Sequence, residues 1–149
     1  MAKILKTSID EELEKGIEIL DTVDAYKWTL ICSEHALSLF ELSNIDAINK
    51  ALQTINNNLD NVSTDMAKMI ASTLLSEASN MENVDTSLYF MLMSLAHTVA
   101  TLVDKKNSIL GAIYAGCAIL EKTKSQEQFK EEKLYQLEKL EKYLLMYDN

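Results

Sequence analysis

The sequence predicts an all-α protein, a single compact bundle of about seven helices that spans residues 1–149 as one domain. The first observation is the scarcity of turn-forming residues. The chain has no proline and only 3 glycines, whereas β-sandwiches and barrels need both residues in their turns. The second is the spacing of apolar residues, which recur every three or four positions as on amphipathic helices. The third is the occurrence of serine, aspartate and asparagine where helices need caps.

Caps and turn residues divide the chain into the predicted helices. Ser8 with Glu11, and later Ser125 with Gln128, fit the capping box, in which two side chains satisfy free backbone amides at a helix start. Short Asx side chains compete with the helical backbone, so we predict breaks at Ser43-Asn44, at residues 56–61 and at residues 104–107. The helices are predicted over about residues 9–20, 24–42, 45–57, 64–79, 85–103, 108–122 and 126–146.

Two segments predict how the helices pack. Small residues are concentrated in residues 96–101 and 111–118, so we expect two central helices to approach each other closely. The last helix has lysine and glutamate on one side and four leucines on the other, Leu134, Leu137, Leu140 and Leu144. The leucine stripe covers only about three heptads, so we expect it to pack on its own domain rather than in a coiled coil.

Acidic residues are concentrated on the first predicted helix. Residues 10–24 contain seven acids and one lysine, which accounts for −6 of the net charge of −9. This segment is either a solvated face or a docking surface for a basic partner, where charge accelerates the encounter. The candidate partner-binding residues are Glu11, Glu12, Glu14 and Glu18.

The composition argues against several function classes. Arginine, whose guanidinium reads guanine and binds phosphate, is absent, and the chain is strongly acidic, so we expect no nucleic-acid partner. No stretch reaches the roughly 18 apolar residues of a membrane helix, and the first residues lack the apolar segment of a secretory signal. We therefore predict a cytoplasmic protein without membrane contact, in which Cys32 and Cys117 are reduced core thiols.

Few residues carry recognisable site chemistry. Neither His35 nor His97 lies in the Glu-x-x-His motif of di-iron bundles. The spacing of Cys32 and His35 supplies only half of a zinc site, and neither histidine lies in a recognisable catalytic elbow. The sequence therefore predicts no catalytic residue, no metal and no cofactor, and it favours a protein that is not an enzyme.

The second predicted helix nevertheless has an individual pattern. Helical spacing places Trp28, Cys32 and His35 on one stripe, and Glu34 lies beside apolar residues on the next stripe. His97 lies among apolar residues of the fifth helix. Two interpretations stay open. These side chains are hydrogen-bonded structural groups of the core, or they line a polar pocket formed by Trp28, Glu34, His35 and His97.

A resemblance to a known family begins in the same helix. Its residues read Trp28-x-Leu30-x-Cys32-x-Glu34-x-x-Leu37-x-Leu39-Phe40-Glu41. This string resembles the opening motif of small all-helical proteins predicted to be immunity proteins of bacterial polymorphic toxin systems. Four later segments are similar to that family in the same order, so the resemblance covers about residues 26–137: Ala47-Ile48, His97-x-Val99-Ala100-Thr101, Gly111-Ala112-x-Tyr114-Ala115 and Glu132-x-Leu134-Tyr135-Gln136-Leu137.

The resemblance implies a non-enzymatic cytoplasmic binding protein that neutralises a cognate toxin by protein–protein contact. Many such toxins act on nucleic acid and have basic surfaces, which fits an acidic first helix. Two alternatives remain. One is a helical small-molecule or metal-binding protein with a polar pocket around Glu34, His35 and His97. The other is a structural or oligomerisation module in which the final leucine stripe joins copies into a homo-oligomer.

Overall fold

The computed structural model describes residues 5–41 and 46–147, without the side chains of residues 46, 47 and 60. Within these ranges the chain forms seven α-helices and no strand, which confirms the all-α prediction. Short 3₁₀ turns follow α3 and α7, over Leu59–Asn61 and Leu145–Tyr147. The helices are α1 (Ser8–Ile19), α2 (Thr22–Leu37), α3 (Asp46–Asn57), α4 (Thr64–Met81), α5 (Thr86–Ala100), α6 (Asn107–Thr123) and α7 (Gln126–Leu144).

Helices α5 and α6 make the most extensive contact in the bundle, and α2 lies against both of them. Ala96 on α5 and Ala112 on α6 are buried, as expected where small residues let two backbones approach. At Gly111 an added Cβ atom would lie 2.4 Å from Thr29 Oγ1, so this position requires glycine. The structure therefore confirms the predicted close packing of two central helices.

The remaining helices surround this centre. Helix α4 packs on α5, while α1 and α7 pack against each other and on α6. Helix α3 buries Leu52 and Ile55, and the Tyr26 hydroxyl of α2 donates a hydrogen bond to Asn56 Oδ1 at 2.8 Å. None of the helices in the described part of the chain is long and apolar enough to cross a membrane.

The first helix begins one residue earlier than predicted, and its capping box is different. Thr7 is the N-cap, its Oγ1 accepts from the Asp10 N–H, and Asp10 Oδ2 accepts from the Thr7 N–H at 2.8 Å. The predicted box of Ser8 and Glu11 is wrong. The reason is that Asp10 is fully buried, and burial of this side chain sets which residues begin the helix.

Several other helix ends differ from the prediction. Helix α2 begins at Thr22 behind an Asp21 cap and ends at Leu37 rather than at residue 42. The predicted break at Ser43-Asn44 lies outside the described residues. Helix α5 ends at Ala100, three residues early, and α4 continues to Met81. At the start of α7, Ser125 accepts from the Gln128 N–H at 3.1 Å, which is the serine half of the predicted box.

The buried face of α7 is rotated relative to the predicted leucine stripe. Leu140 is fully buried, but the Leu134 side chain is 55% exposed. The other buried positions of α7 are Phe129, Glu132, Lys133 and Gln136. The assignment of its lysine and glutamate residues to the outer face is therefore wrong for two of them, because small residues of α6 leave room for long polar side chains. Helix α7 packs within its own chain, on α1, α2 and α6.

Candidate functional site

Helix α1 carries four acidic side chains outside the core, Glu11, Glu12, Glu14 and Glu18, and we call them the acidic face. Three of them are exposed and Glu14 is partly buried. Glu14 Oε1 lies 2.5 Å from Lys6 Nζ in a half-exposed ion pair. The opposite side of the helix buries Leu13 and Ile17 in the core. The structure therefore presents the predicted partner-binding residues on a helix that is firmly packed from behind.

Asp10 does not belong to this surface, although the charge pattern included it. Its side chain is fully buried, and its Oδ1 lies 2.6 Å from Lys133 Nζ, which is also buried. At the other end of α1, Lys105 Nζ donates to the carbonyl oxygens of Glu18 and Leu20, at 3.1 and 2.8 Å. One end of α1 is thus held by Lys133 of α7, and the other by Lys105 of the turn between α5 and α6.

A buried polar cluster on α7 lies behind α1, and sequence reasoning missed it. An added Cβ at Gly116 would lie 3.3 Å from Lys133 Cδ and 3.5 Å from its Nζ, so glycine on α6 makes room for the lysine. Gln136 Nε2 donates to the Ala112 carbonyl at 3.0 Å. The Gln136 carbonyl in turn accepts from Trp28 Nε1 at 3.0 Å. The only sequence signal was the small residues of α6, which make a cavity that long side chains fill.

Glu132 extends the buried polar cluster to the surface. Its Oε2 lies 2.6 Å from His35 Nδ1, and its own side chain is only 3% exposed. The His35 ring is stacked on Tyr135 with centroids 3.9 Å apart. Burial raises the pKa of the Glu132 carboxyl, while the neighbouring His35 and Lys133 oppose that rise. The pair joins α2 to α7 at the edge of the core.

The structure does not assemble the predicted polar pocket. Trp28 is fully buried, whereas Glu34 and His35 are exposed on α2. His97 is in a different environment, stacked on Tyr114 and with its Nδ1 2.9 Å from Asn107 Oδ1. The pocket around Glu34, His35 and His97 is therefore a wrong prediction, because helix rotation turns Glu34 away from the core. Each histidine ring is within hydrogen-bond distance of a side-chain partner, His35 of Glu132 and His97 of Asn107.

The buried polar side chains that meet between α2 and α5 are hydroxyls. Ser33 Oγ is 2.7 Å from both Ser94 Oγ and Thr98 Oγ1. Ser94 Oγ donates to the Gly111 carbonyl at 2.7 Å, and Thr29 Oγ1 donates to the Ser108 carbonyl at 3.0 Å. The sequence signal for this contact was a pair of hydroxyl residues four positions apart on each of the two helices. The hydroxyls satisfy one another across the central helices, as buried polar groups must.

An apolar concavity lies elsewhere, between α3, α4 and α5. Its volume is about 630 Å³, and it is lined mainly by apolar side chains such as Leu52, Met69 and Leu88, with Glu77 among them. This size falls within the range of small-molecule sites.

A metal site needs several His, Cys, Asp or Glu side chains close together. Within residues 5–41 and 46–147, no group of three or more His, Cys, Asp and Glu side chains is arranged to hold a metal ion. Cys32 and Cys117 are free and buried, and burial raises the pKa of both thiols.

The fold and its surface define the class: an all-helical bundle with an acidic outer helix. A family model described as "Imm-5 like putative immunity protein" matches residues 16–143. The chain belongs to this family, which confirms the resemblance drawn from residues 26–137. Immunity proteins are in general non-enzymatic and have a toxin as their partner. No curated protein and no solved structure is significantly similar to the chain.

Proposed function

We propose that the protein neutralises a cognate toxin in the cytoplasm by direct protein–protein contact, without enzymatic chemistry. Membership of the immunity-protein family over residues 16–143 is the observation that carries this proposal. The partner is a protein and neither a nucleic acid nor a membrane, since an acidic chain without arginine is poorly suited to phosphate.

The acidic face of α1 is the proposed docking surface. Glu11, Glu12 and Glu18 are exposed, and the segment that contains them carries most of the net charge. A basic toxin surface would be attracted to it, which raises the association rate and fixes orientation more than it deepens affinity. The packed Leu13 and Ile17 behind this face reduce the entropic cost of binding, because α1 is already ordered.

Neutralisation in cells tests the proposed function. Each candidate toxin domain found beside the protein's gene is expressed under an inducible promoter, with and without the protein. We expect growth to be restored and the two chains to co-purify. Growth arrest despite comparable expression of the protein, with no complex recovered for any neighbouring toxin, would contradict the proposal.

A second candidate function is supported by the apolar concavity between α3, α4 and α5. Its volume of about 630 Å³ could accommodate an apolar small molecule, at a place different from the pocket predicted around Glu34, His35 and His97. Native mass spectrometry of the purified protein tests this. A bound compound in stoichiometric amount supports it, and a mass equal to that of the bare chain counts against it.

A further inference from the structure

The contact between α1 and α7 includes a charge pair in the protein interior. Asp10 Oδ1 and Lys133 Nζ are 2.6 Å apart, and their side chains are 0% and 1% exposed. The other carboxylate oxygen, Asp10 Oδ2, accepts from the Thr7 N–H at 2.8 Å and from the Thr7 hydroxyl at 3.0 Å. A buried ion pair is often no more stabilising than apolar residues of the same volume. Stability alone therefore does not account for it.

The pair instead bears on the register of α1 along α7. Burial of Leu13 and Ile17 favours association of the helices but is non-directional. A slip of one turn, about 5.4 Å, would keep much apolar contact and yet leave Lys133 buried without its partner. An unpaired buried charge is strongly unfavourable, so the ion pair disfavours this alternative register.

Contacts farther along α1 agree with a single register. An added Cβ at Gly16 would lie 2.6 Å from Leu140 Cδ2, so α1 and α7 approach closely at that point. Beyond Gly16, Lys105 Nζ donates hydrogen bonds to the last carbonyl oxygens of the helix. Helix α1 is thus contacted at three successive points, at Asp10, at Gly16 and at its C-terminal end by Lys105.

We propose that Asp10 and Lys133 are positioning residues for partner recognition, because their ion pair fixes the register of α1 and thereby the direction in which its acidic face points. This inference rests on the proposed function. The segment matched by the family begins at residue 16, so Glu11, Glu12 and Glu14 precede it while Lys133 lies within it. The pair therefore connects the docking helix to the family-matched bundle.

The double variant Asp10→Asn with Lys133→Met tests this role. It removes both buried charges and leaves the net charge of −9 and every residue of the acidic face unchanged. The asparagine oxygen can still accept from the Thr7 N–H. We expect the thermal midpoint to be retained, the α1 amides to exchange hydrogen at least about tenfold faster relative to those of α5, and toxin affinity to fall about tenfold.

Two control variants separate positioning from general effects. Lys130→Met removes an exposed charge three residues before Lys133 on α7. We expect it to change neither hydrogen exchange in α1 nor toxin affinity. Lys133→Arg keeps the charge, and we expect it to preserve slow exchange in α1.

Each contrary outcome has a distinct meaning. Unchanged exchange in α1 of the double variant would overturn the assigned register role, and faster exchange with unchanged toxin affinity would overturn the positioning role. Loss of protection throughout the bundle would indicate a general stability role and would also overturn the proposal. If the unaltered protein does not bind the toxin, the proposed function fails, and hydrogen exchange alone then decides whether the pair sets the register.

Discussion

Trp28 joins α2 to α7 inside the core. Its indole is fully buried, and Nε1–H donates to the Gln136 carbonyl at 3.0 Å. We expect Trp28→Ala to lower the free energy of unfolding by about 3–5 kcal/mol, because a large core side chain is replaced by a small one. Urea unfolding measures this. Trp28→Phe keeps an aromatic ring and should cost less, whereas an unchanged midpoint for Trp28→Ala would contradict the core position.

Glu132 gives the protein a pH dependence whose sign can be stated. Burial raises the pKa of this carboxyl in the folded state above its usual value of 4.5, so the folded protein holds the proton more tightly than the unfolded chain. The stability that this proton contributes is present at low pH and is lost as pH rises through the folded pKa.

The variant Glu132→Gln removes that titration and keeps an oxygen that can accept from His35. We expect wild type to lose stability relative to Glu132→Gln as pH rises from about 4.5 toward the folded pKa. Urea unfolding of both proteins over a pH series checks this. Glu131→Gln, an exposed neighbour, is the control. A stability difference that stays constant or changes in favour of wild type would contradict the assignment.

Residue-level prediction from sequence succeeded for Trp28 and failed for Lys133. A large aromatic residue on an apolar stripe is usually buried, and here it is. Lysine is almost never fully buried unless it is paired, and its partner Asp10 is 123 positions away in sequence. Only the packing of α1 on α7 brings the two together.

Helix α1 is the element on which the docking proposal rests. We expect Glu11→Lys, Glu12→Lys and Glu14→Lys together to leave the fold intact, because all three side chains lie on the exposed or partly exposed side. The toxin association rate should fall strongly at low salt and less at high salt, since added ions screen surface charges. Stopped-flow or surface-binding kinetics at two ionic strengths would measure it.

A matched charge reversal on another helix controls for net charge. Three exposed glutamates of α7 serve this purpose, Glu127, Glu131 and Glu141. Their reversal to lysine changes the total charge by the same amount and should slow association much less. Equal loss for the two triple variants would mean that net charge, and not the acidic face, attracts the toxin.

The orientation of a helix was harder to predict than its existence. For α7 the spacing of Leu134, Leu137 and Leu140 indicated one face, yet Leu134 is outside and Gln136 is fully buried. The period was right and the predicted face overlaps the buried one, because Leu140 is buried and Leu137 and Leu144 pack against the core. Buried polar residues extend that face in a direction that hydrophobicity does not indicate. Hydrogen bonds such as Gln136 Nε2 to the Ala112 carbonyl compensate the burial of polar atoms, and sequence spacing does not reveal them.

At the scale of the whole molecule, the fold was predictable because many weak signals agree. Absent proline, repeated caps and helical periodicity all favour helices, and small residues in the fifth and sixth helices correctly predicted their close contact. The predicted pocket failed because it depended on the relative orientation of α2 and α5, on which His35 and His97 lie. Such relations are set by tertiary packing.

Titration of the toxin's activity with the purified protein tests the central claim of neutralisation by contact most directly. Contact without chemistry predicts inhibition that is complete at one equivalent, is proportional below it and is reversed when the complex is separated. Full inhibition at a small fraction of an equivalent would indicate enzymatic inactivation, and undiminished toxin activity at large excess would indicate no contact. Either result would contradict the account.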